Sequence, residues 1–319
     1  EDSFRREGHH LAPADPTDLT GSLTVTGIVY NEMKGAYSSP LARLQRSAVR
    51  MLLPDTIYGR SSGGEPEVIP DLTYNAFRRY HADYYQAGNA YFFLYGNIPT
   101  RDYLTFLGKR LEDLAPRSPV IDLGLQPRWS ESRHFDDTYP IGPGESTAEK
   151  SYLLLAWLSG DATDVITTIE WYLLGAILLG HEAAPLRKAI IDSGIGADLV
   201  SSGAFPIGRE LSFAIGVKDS ESEQSEKFRE LVISTLDGIA KRGISSEEVS
   251  TALHQAAYHY REVQPMFPLH TMDRVLDAWI YGMDPLSFLR LGEHLEVCRT
   301  RYQNNPRMFD QLIRDQLLE

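Results

Sequence analysis

Cysteine is almost absent from this chain of 319 residues, which contains only Cys298. A single thiol cannot form a disulfide within the chain, and it excludes a zinc site built from several cysteines. Disulfides are rare where the environment keeps thiols reduced. The composition therefore indicates a reducing compartment, either a bacterial cytoplasm or the matrix of an organelle.

The chain has fewer basic than acidic residues, with 31 Lys and Arg against 44 Asp and Glu, so its net charge is −13. Nucleic acids and anionic membranes both require a basic face, so neither is expected as a partner. An acidic balance would suit a basic substrate, but solubility explains it equally well. The longest apolar run, from Trp171 to Leu179, is about half of the ~20 residues that a membrane helix needs.

Motifs for a complete catalytic centre are also missing. Neither His-Glu-x-x-His nor the inverse His-x-x-Glu-His occurs, and His254 and His259 are five residues apart, which separates them on a helix. No local motif can therefore supply the three protein ligands of a catalytic zinc ion. Gly194-Ile195-Gly196 is typical of a helix end rather than a phosphate loop, and no Gly-x-Ser-x-Gly nucleophile motif is present.

The length exceeds the ~100–200 residues of a usual domain, so two domains are expected. Prolines and glycines are frequent in residues 115–150, which favours a connection there. We therefore divide the chain into residues 1–118 and 119–319. The first residues, Glu1-Asp2-Ser3-Phe4, include no initiator methionine, so the expectation is a piece of a longer protein.

Hydrophobic spacing predicts an α+β fold. Strands are expected at residues 90–95, 134–135, 151–158, 199–203 and 210–217, the last two as a hairpin. Helices are expected at about 20–36, 40–52, 74–87, 100–114, 163–179, 185–193, 220–241, 246–260 and 269–281, and from 285 onward. Ser245 and Glu248 form the pattern of a capping box. A faint likeness between residues 91–96 and 211–216, each followed by a turn and a charged helix, suggests a duplicated unit.

The most informative string is Asn31-Glu32-Met33-Lys34-Gly35. If this segment is helical, Val25, Ile28, Val29 and Glu32 share one stripe, which places a carboxylate on an apolar face. A buried carboxylate needs a partner, and a metal ion is one such partner. The alternative is a surface carboxylate that pairs with Lys34 or Arg43.

Several strings resemble the presequence-protease branch of the pitrilysin/insulysin metallopeptidases. They occur in the family's order and extend over nearly the whole chain. They are Gly27-Ile28-Val29-Tyr30-Asn31-Glu32-Met33-Lys34-Gly35-Ala36-Tyr37-Ser38, residues 62–73 (SGGEPEVIPDLT) running on to Tyr95-Gly96-Asn97, residues 185–196 (PLRKAIIDSGIG) and residues 279–285 (WIYGMDP).

The resemblance implies a zinc endopeptidase that degrades unstructured peptides inside a closable chamber. Such enzymes bind zinc through the two histidines of a His-x-x-Glu-His helix and a distant glutamate, and the glutamate within the motif activates water. Glu32 matches the distant glutamate and is the only zinc ligand carried over. Asn31 or Lys34 is expected to orient it, from their proximity in sequence.

The resemblance also implies what this chain does not supply. The His-x-x-Glu-His segment lies upstream of Glu1 in the family, and a further half that closes over the peptide lies downstream. No general base and no catalytic residue is therefore assigned. The expected fold is two related units, each a sheet covered by helices, with the first unit incomplete.

The resemblance leaves three interpretations of the chain open. It is part of a zinc metalloendopeptidase that is inactive alone, a non-catalytic peptide-binding or scaffold module of the same fold, or a stable fragment with no activity of its own. The expected partners are peptides and the missing segments of the same protein.

Overall fold

The computed structural model describes residues 1–114, 121, 123–263 and 265–319. The chain divides into two compact units. The first comprises Glu1–Ser39 and the described part of Ser61–Asp122, and the second comprises Pro40–Arg60 and the described part of Leu123–Glu319. The expected boundary between residues 118 and 119 lies outside the described residues and stays a prediction.

The elements in chain order are β1 (His10–Pro13), β2 (Leu23–Thr26), α1 (Ile28–Ala36), α2 (Pro40–Leu52), α3 (Tyr74–Tyr84), α4 (Thr100–Leu111), β3 (Ser151–Asp161), α5 (Val165–Leu179), α6 (Pro185–Ser193), β4 (Asp198–Ile207), β5 (Glu210–Ser220), α7 (Ser225–Arg242), α8 (Ser246–Arg261), α9 (Phe267–Trp279), α10 (Leu291–Asn304) and α11 (Met308–Ile313). The expected α+β class is confirmed. Among the described residues, no helix is both long enough and apolar enough to cross a bilayer.

The second unit is built on an antiparallel sheet with the strand order β3-β5-β4. The predicted hairpin is confirmed, with Ile207 paired to Glu210 next to its turn. The strand β5 is the central one and is buried along most of its length. Helix α5 is apolar on nearly every face, and its Trp171 ring packs 5.3 Å from the Phe213 ring of β5. This helix therefore forms the centre of the core.

The first unit differs from the sequence prediction near its start. Residues 23–26 form β2, which pairs antiparallel with β1, instead of the first turns of a helix from residue 20. Thr24, Val25 and Thr26 are β-branched, so their side chains favour the strand. The helix begins only at Ile28. The polar, turn-rich residues 1–19 would be expected to form a loop, but β1 lies within them.

Two predicted strands are not formed. Residues 90–95 are not part of a strand, and Tyr91, Phe92, Leu94 and Tyr95 are exposed. Residues 134–135 are likewise outside any strand. An apolar run acquires strand structure only when a neighbouring strand takes up its backbone hydrogen bonds. The likeness between residues 91–96 and 211–216 therefore does not extend to strand structure.

The helices of the first unit leave much apolar surface open. Helices α1, α3 and α4 contain no buried residue. Phe77, Tyr80, Leu104 and Phe106 are each more than half exposed. Ile69 is the one large apolar side chain that is buried among the described residues of this unit. Large apolar side chains left exposed in this way are available for packing against other polypeptide.

Candidate metal-binding helix

The start of helix α1 is fixed by a close backbone approach at Gly27. A Cβ atom on this residue would lie 2.2 Å from the carbonyl oxygen of Gly8, and φ is +153°. Only glycine fits there. One turn into the helix, the Asn31 side-chain amide donates a hydrogen bond of 3.0 Å to Thr26 Oγ1. The first turn is therefore attached to the end of β2.

The far part of α1 is held by the loop that contains Gly63. A Cβ atom on Gly63 would lie 2.4 Å from Met33 Sδ, so the loop backbone packs directly against the methionine side chain. Two of the strings that carry the family resemblance, around residues 31–35 and 62–66, are thus neighbours in the fold. The packing fixes the helix that carries Glu32.

Glu32 is exposed on α1. The prediction that Glu32 shares a buried apolar face of the helix is wrong. Val25 lies in β2, and Ile28 and Val29 are 56% and 37% exposed. Within the described part of the chain, no hydrogen bond or ion pair engages the Glu32 carboxylate. The carboxylate is therefore available to a ligand.

Neither of the alternative partners of Glu32 is observed paired with it. Lys34 is two residues away on the same helix, a spacing at which side chains do not face each other. The guanidinium of Arg43 instead binds Asp137, with Nη2 3.2 Å from Oδ1. The surface ion pair considered for Glu32 is therefore not formed in this structure.

No group of three His, Cys, Asp or Glu side chains converges on a metal position anywhere in the described ranges. Several histidines have other contacts. These are His10 Nδ1 with the Arg5 carbonyl at 2.8 Å, His134 Nε2 with Asp136 Oδ1 at 3.2 Å, His259 Nδ1 with Glu262 Oε2 at 3.8 Å, and His294 Nε2 with the Ser287 carbonyl at 2.9 Å. Glu32 would thus be a single ligand, and a zinc ion would need donors from elsewhere.

Polar groups in the second unit were missed by the sequence reasoning. The hydroxyls of Tyr58 and Tyr281 are 2.5 Å apart, although 223 positions separate these residues in the chain. Asp277, one turn before Tyr281, lines a cavity. The string at residues 279–285 pointed to this region, but its spacing alone does not indicate a site.

A comparison with known protein families gives a match over the middle of the chain. The family profile described as the Peptidase M16 inactive domain matches residues 71–256, more than half of the chain. The matched range includes α3, α4 and the whole three-stranded sheet. It ends within α8.

Similar curated proteins match almost the full chain. Protein HypA of Clostridium perfringens is 34% identical over 97% of this chain and 32% of its own length. Presequence protease 1 of Arabidopsis thaliana, named as chloroplastic/mitochondrial, is 33% identical over 99% of this chain and 30% of its own length. The mitochondrial presequence protease of Xenopus laevis is 29% identical over 98% of this chain and 31% of its own length. The chain thus spans about a third of these relatives.

Solved structures share the fold. The peptidase M16 inactive domain from Pseudomonas fluorescens has a TM-score of 0.58 at 19% identity and covers 84% of this chain and 62% of its own. The first half of the periplasmic protease PqqL from Escherichia coli has a TM-score of 0.51 at 16% identity. The match covers 88% of this chain and 63% of that structure's chain. Sequence and fold together define a peptidase-like domain without a catalytic motif of its own. The chain belongs to the Peptidase M16 inactive domain family.

Proposed function

We propose that this chain is a non-catalytic part of a zinc-dependent endopeptidase and that Glu32 contributes one ligand to its zinc ion. The observation that carries the proposal is the unpaired, exposed carboxylate of Glu32 on a helix that is fixed at Gly27 and at Gly63. A ligand held on a rigid element keeps its geometry when the rest of the site assembles.

The remaining ligands would come from a longer protein. Catalytic zinc sites use three protein ligands and leave a fourth position for a water molecule, whose pKa the metal lowers. The relatives named presequence proteases are about three times as long as this chain, which gives room for the two missing histidines. We further propose that Asn31 fixes the turn that presents Glu32, since its amide already binds Thr26, and that Lys34 adds a positive charge nearby.

The proposed substrates are peptides without stable structure, and the proposed compartment is a reducing one. The relatives whose names give a location are mitochondrial or chloroplastic. An unstructured peptide can adopt the extended backbone that a peptidase must hold, because no folded structure has to be opened first.

The test uses the longer protein that contains this chain. We expect Glu32→Gln to reduce cleavage of an unstructured peptide by more than about 100-fold, since it removes a metal ligand. Glu67→Gln, an exposed glutamate of the same unit, is the matched control and should retain activity. Equal activity of both variants would reject the ligand assignment.

A second candidate function is that of a non-catalytic peptide-binding or scaffold module, which either cradles peptides or pairs with a partner that carries the histidines. The exposed apolar faces of α3 and α4 favour it, because Phe77 and Leu104 are 52% and 63% exposed. Mixing the chain with a separately produced segment that carries the histidines distinguishes part of an endopeptidase from a non-catalytic module. Recovered cleavage supports a split enzyme, whereas complex formation or peptide binding without cleavage supports the module.

A further inference from the structure

A cavity of about 470 Å³ lies in the second unit, among α5, α8, α9, α10 and the β4–β5 hairpin. This volume falls within the range of about 300–1,000 Å³ that is usual for small-molecule sites. Its walls are mainly apolar, with contributions from Ile169, Leu173, Pro206, Phe288, Leu291 and Leu295. A ligand with an apolar body would therefore lose water on most of its surface there.

Asp277, an exposed residue of α9, contributes a carboxylate to the lining of this cavity. Asp277 makes no hydrogen bond or ion pair with any residue that the structure describes. Burial, and secondarily the charge of Asp273, raises the pKa of its carboxyl group. Tyr172 lines the same cavity, and burial followed by the Asp277 charge raises the pKa of its hydroxyl to about 12. An acidic group and a neutral hydroxyl group thus line the same cavity, and both residues remain partly exposed to solvent.

The basic groups of the cavity already have other contacts. The guanidinium carbon of Arg274 lies 4.7 Å from the centroid of the Tyr260 ring, which is a cation–π arrangement. His259 faces Glu262, with Nδ1 3.8 Å from Oε2. Arg274 keeps its positive charge but makes no ion pair with Asp277, and neither does His259. The Asp277 carboxylate is therefore open to a cationic ligand in the cavity.

The end of the cavity next to Asp277 is pre-formed. The ring of Tyr58 packs on Gly208 so closely that a Cβ atom there would lie 2.2 Å from the ring. The Tyr58 hydroxyl then bonds to that of Tyr281 at 2.5 Å, just after α9. These contacts hold the carboxyl end of α9 close to the hairpin. A pre-formed site binds with little loss of conformational freedom.

We propose that this cavity binds a small organic cation with an apolar body, an aryl- or alkylammonium compound. Its ammonium group would bind Asp277 and the Tyr172 hydroxyl. Its apolar body would lie against Leu173 and Leu291. The site is separate from the zinc ligand proposed above and stands whether or not Glu32 binds metal.

The experiment measures binding of 2-phenylethylammonium to the intact chain by calorimetry. Two probes of similar shape, neutral 2-phenylethanol and anionic 3-phenylpropanoate, isolate the contribution of charge. We expect the ammonium compound to bind at least about tenfold more tightly than the alcohol, and the anion to bind most weakly. Equal binding of ammonium and alcohol, or no binding of the ammonium compound at millimolar concentration, would overturn the proposal.

Substitutions of cavity residues test whether the ligand binds in this cavity. Asp277→Asn should reduce ammonium binding to the level of the alcohol and leave alcohol binding unchanged. Asp273→Asn makes the same change of charge one turn earlier on α9 and outside the cavity lining, so it should keep the preference. Ala256→Phe should fill the cavity and weaken all probes. Loss of preference in Asp273→Asn but not in Asp277→Asn would contradict the assignment.

Discussion

Arg128 and Glu210 form a two-point ion pair in the second unit. Arg128 Nη1 and Nη2 each lie 2.8 Å from a different carboxylate oxygen of Glu210, whose side chain is 1% exposed. The backbone N–H of Gln126 also donates to Glu210, at 2.5 Å. The Gln126 amide in turn donates to Asp55 at 2.6 Å. Segments near residues 55, 126 and 210 are thus joined through one buried carboxylate.

The first prediction concerns this carboxylate. Glu210→Gln should lower the free energy of unfolding of the second unit by about 3 kcal/mol, because it leaves the facing Arg128 donors without their anion. Urea denaturation followed by tryptophan fluorescence measures the change. Glu223→Gln, at an exposed position, should change it by less than about 0.5 kcal/mol. A loss below 1 kcal/mol for Glu210→Gln would show that the pair is not stabilising.

The second prediction concerns the hairpin turn. Gly208→Ala should destabilise the second unit, since φ is +62° and the added methyl group would overlap the Tyr58 ring. We expect a loss of about 1–3 kcal/mol, with the Tyr58–Tyr281 contact disturbed. Gly238→Ala in α7 is the control, because a Cβ atom there meets nothing within 4 Å and alanine favours a helix. The same loss for both variants would contradict the packing at Gly208.

The third prediction follows from the raised pKa of Asp277, which is caused first by burial and then by Asp273. The folded state holds this proton more tightly than the unfolded chain, where aspartate titrates near its ordinary value. Stability is therefore lost as pH rises through the interval above that value. Asp277→Asn removes this loss, so the variant should be more stable than the parent at pH 7, with the difference shrinking toward pH 4.

Urea midpoints at several pH values test this dependence. Asp273→Asn should give a smaller gain, because it removes only the neighbouring charge. A variant Asp277→Asn that is less stable than the parent at pH 7 would show that the carboxylate has a stabilising partner. A gain in stability with loss of ammonium binding would be the usual trade-off between stability and function at a binding site.

The fourth prediction concerns Cys298, the single cysteine of the chain. Burial first, and the charge of Glu170 second, raises the pKa of its thiol to about 12. Since the thiolate is the reactive form, labelling with Ellman's reagent at pH 8 should be at least about 100-fold slower in the folded protein than in guanidinium chloride. One thiol should react on unfolding. Equal rates in both states would mean that α10 opens readily.

Local chemistry predicted the parts of the fold that depend on few residues. The Ser245–Glu248 capping box is confirmed, with Glu248 Oε2 accepting from the Ser245 amide at 2.7 Å and Ser245 Oγ accepting in return. The hairpin of β4 and β5 is confirmed as well. In both cases the interacting groups are close in the sequence, so spacing and turn residues suffice.

Features that depend on distant contacts could not be predicted in this way. The apolar run at residues 90–95 predicts a strand, but pairing requires a neighbour that the pattern does not reveal. Spacing predicts a helix from residue 20, whereas residues 23–26 pair with β1, which the local pattern does not show. Glu32 lies on a helix, as predicted, yet its exposure depends on surrounding segments. The Arg128–Glu210 pair and Asp277 depend on contacts that sequence spacing does not show.

Metal analysis of the longer protein tests most directly whether Glu32 is a zinc ligand. After dialysis against a weak chelator, the parent protein and Glu67→Gln should each retain about one zinc per molecule, whereas Glu32→Gln should lose most of it. Stoichiometric zinc in Glu32→Gln would contradict the account.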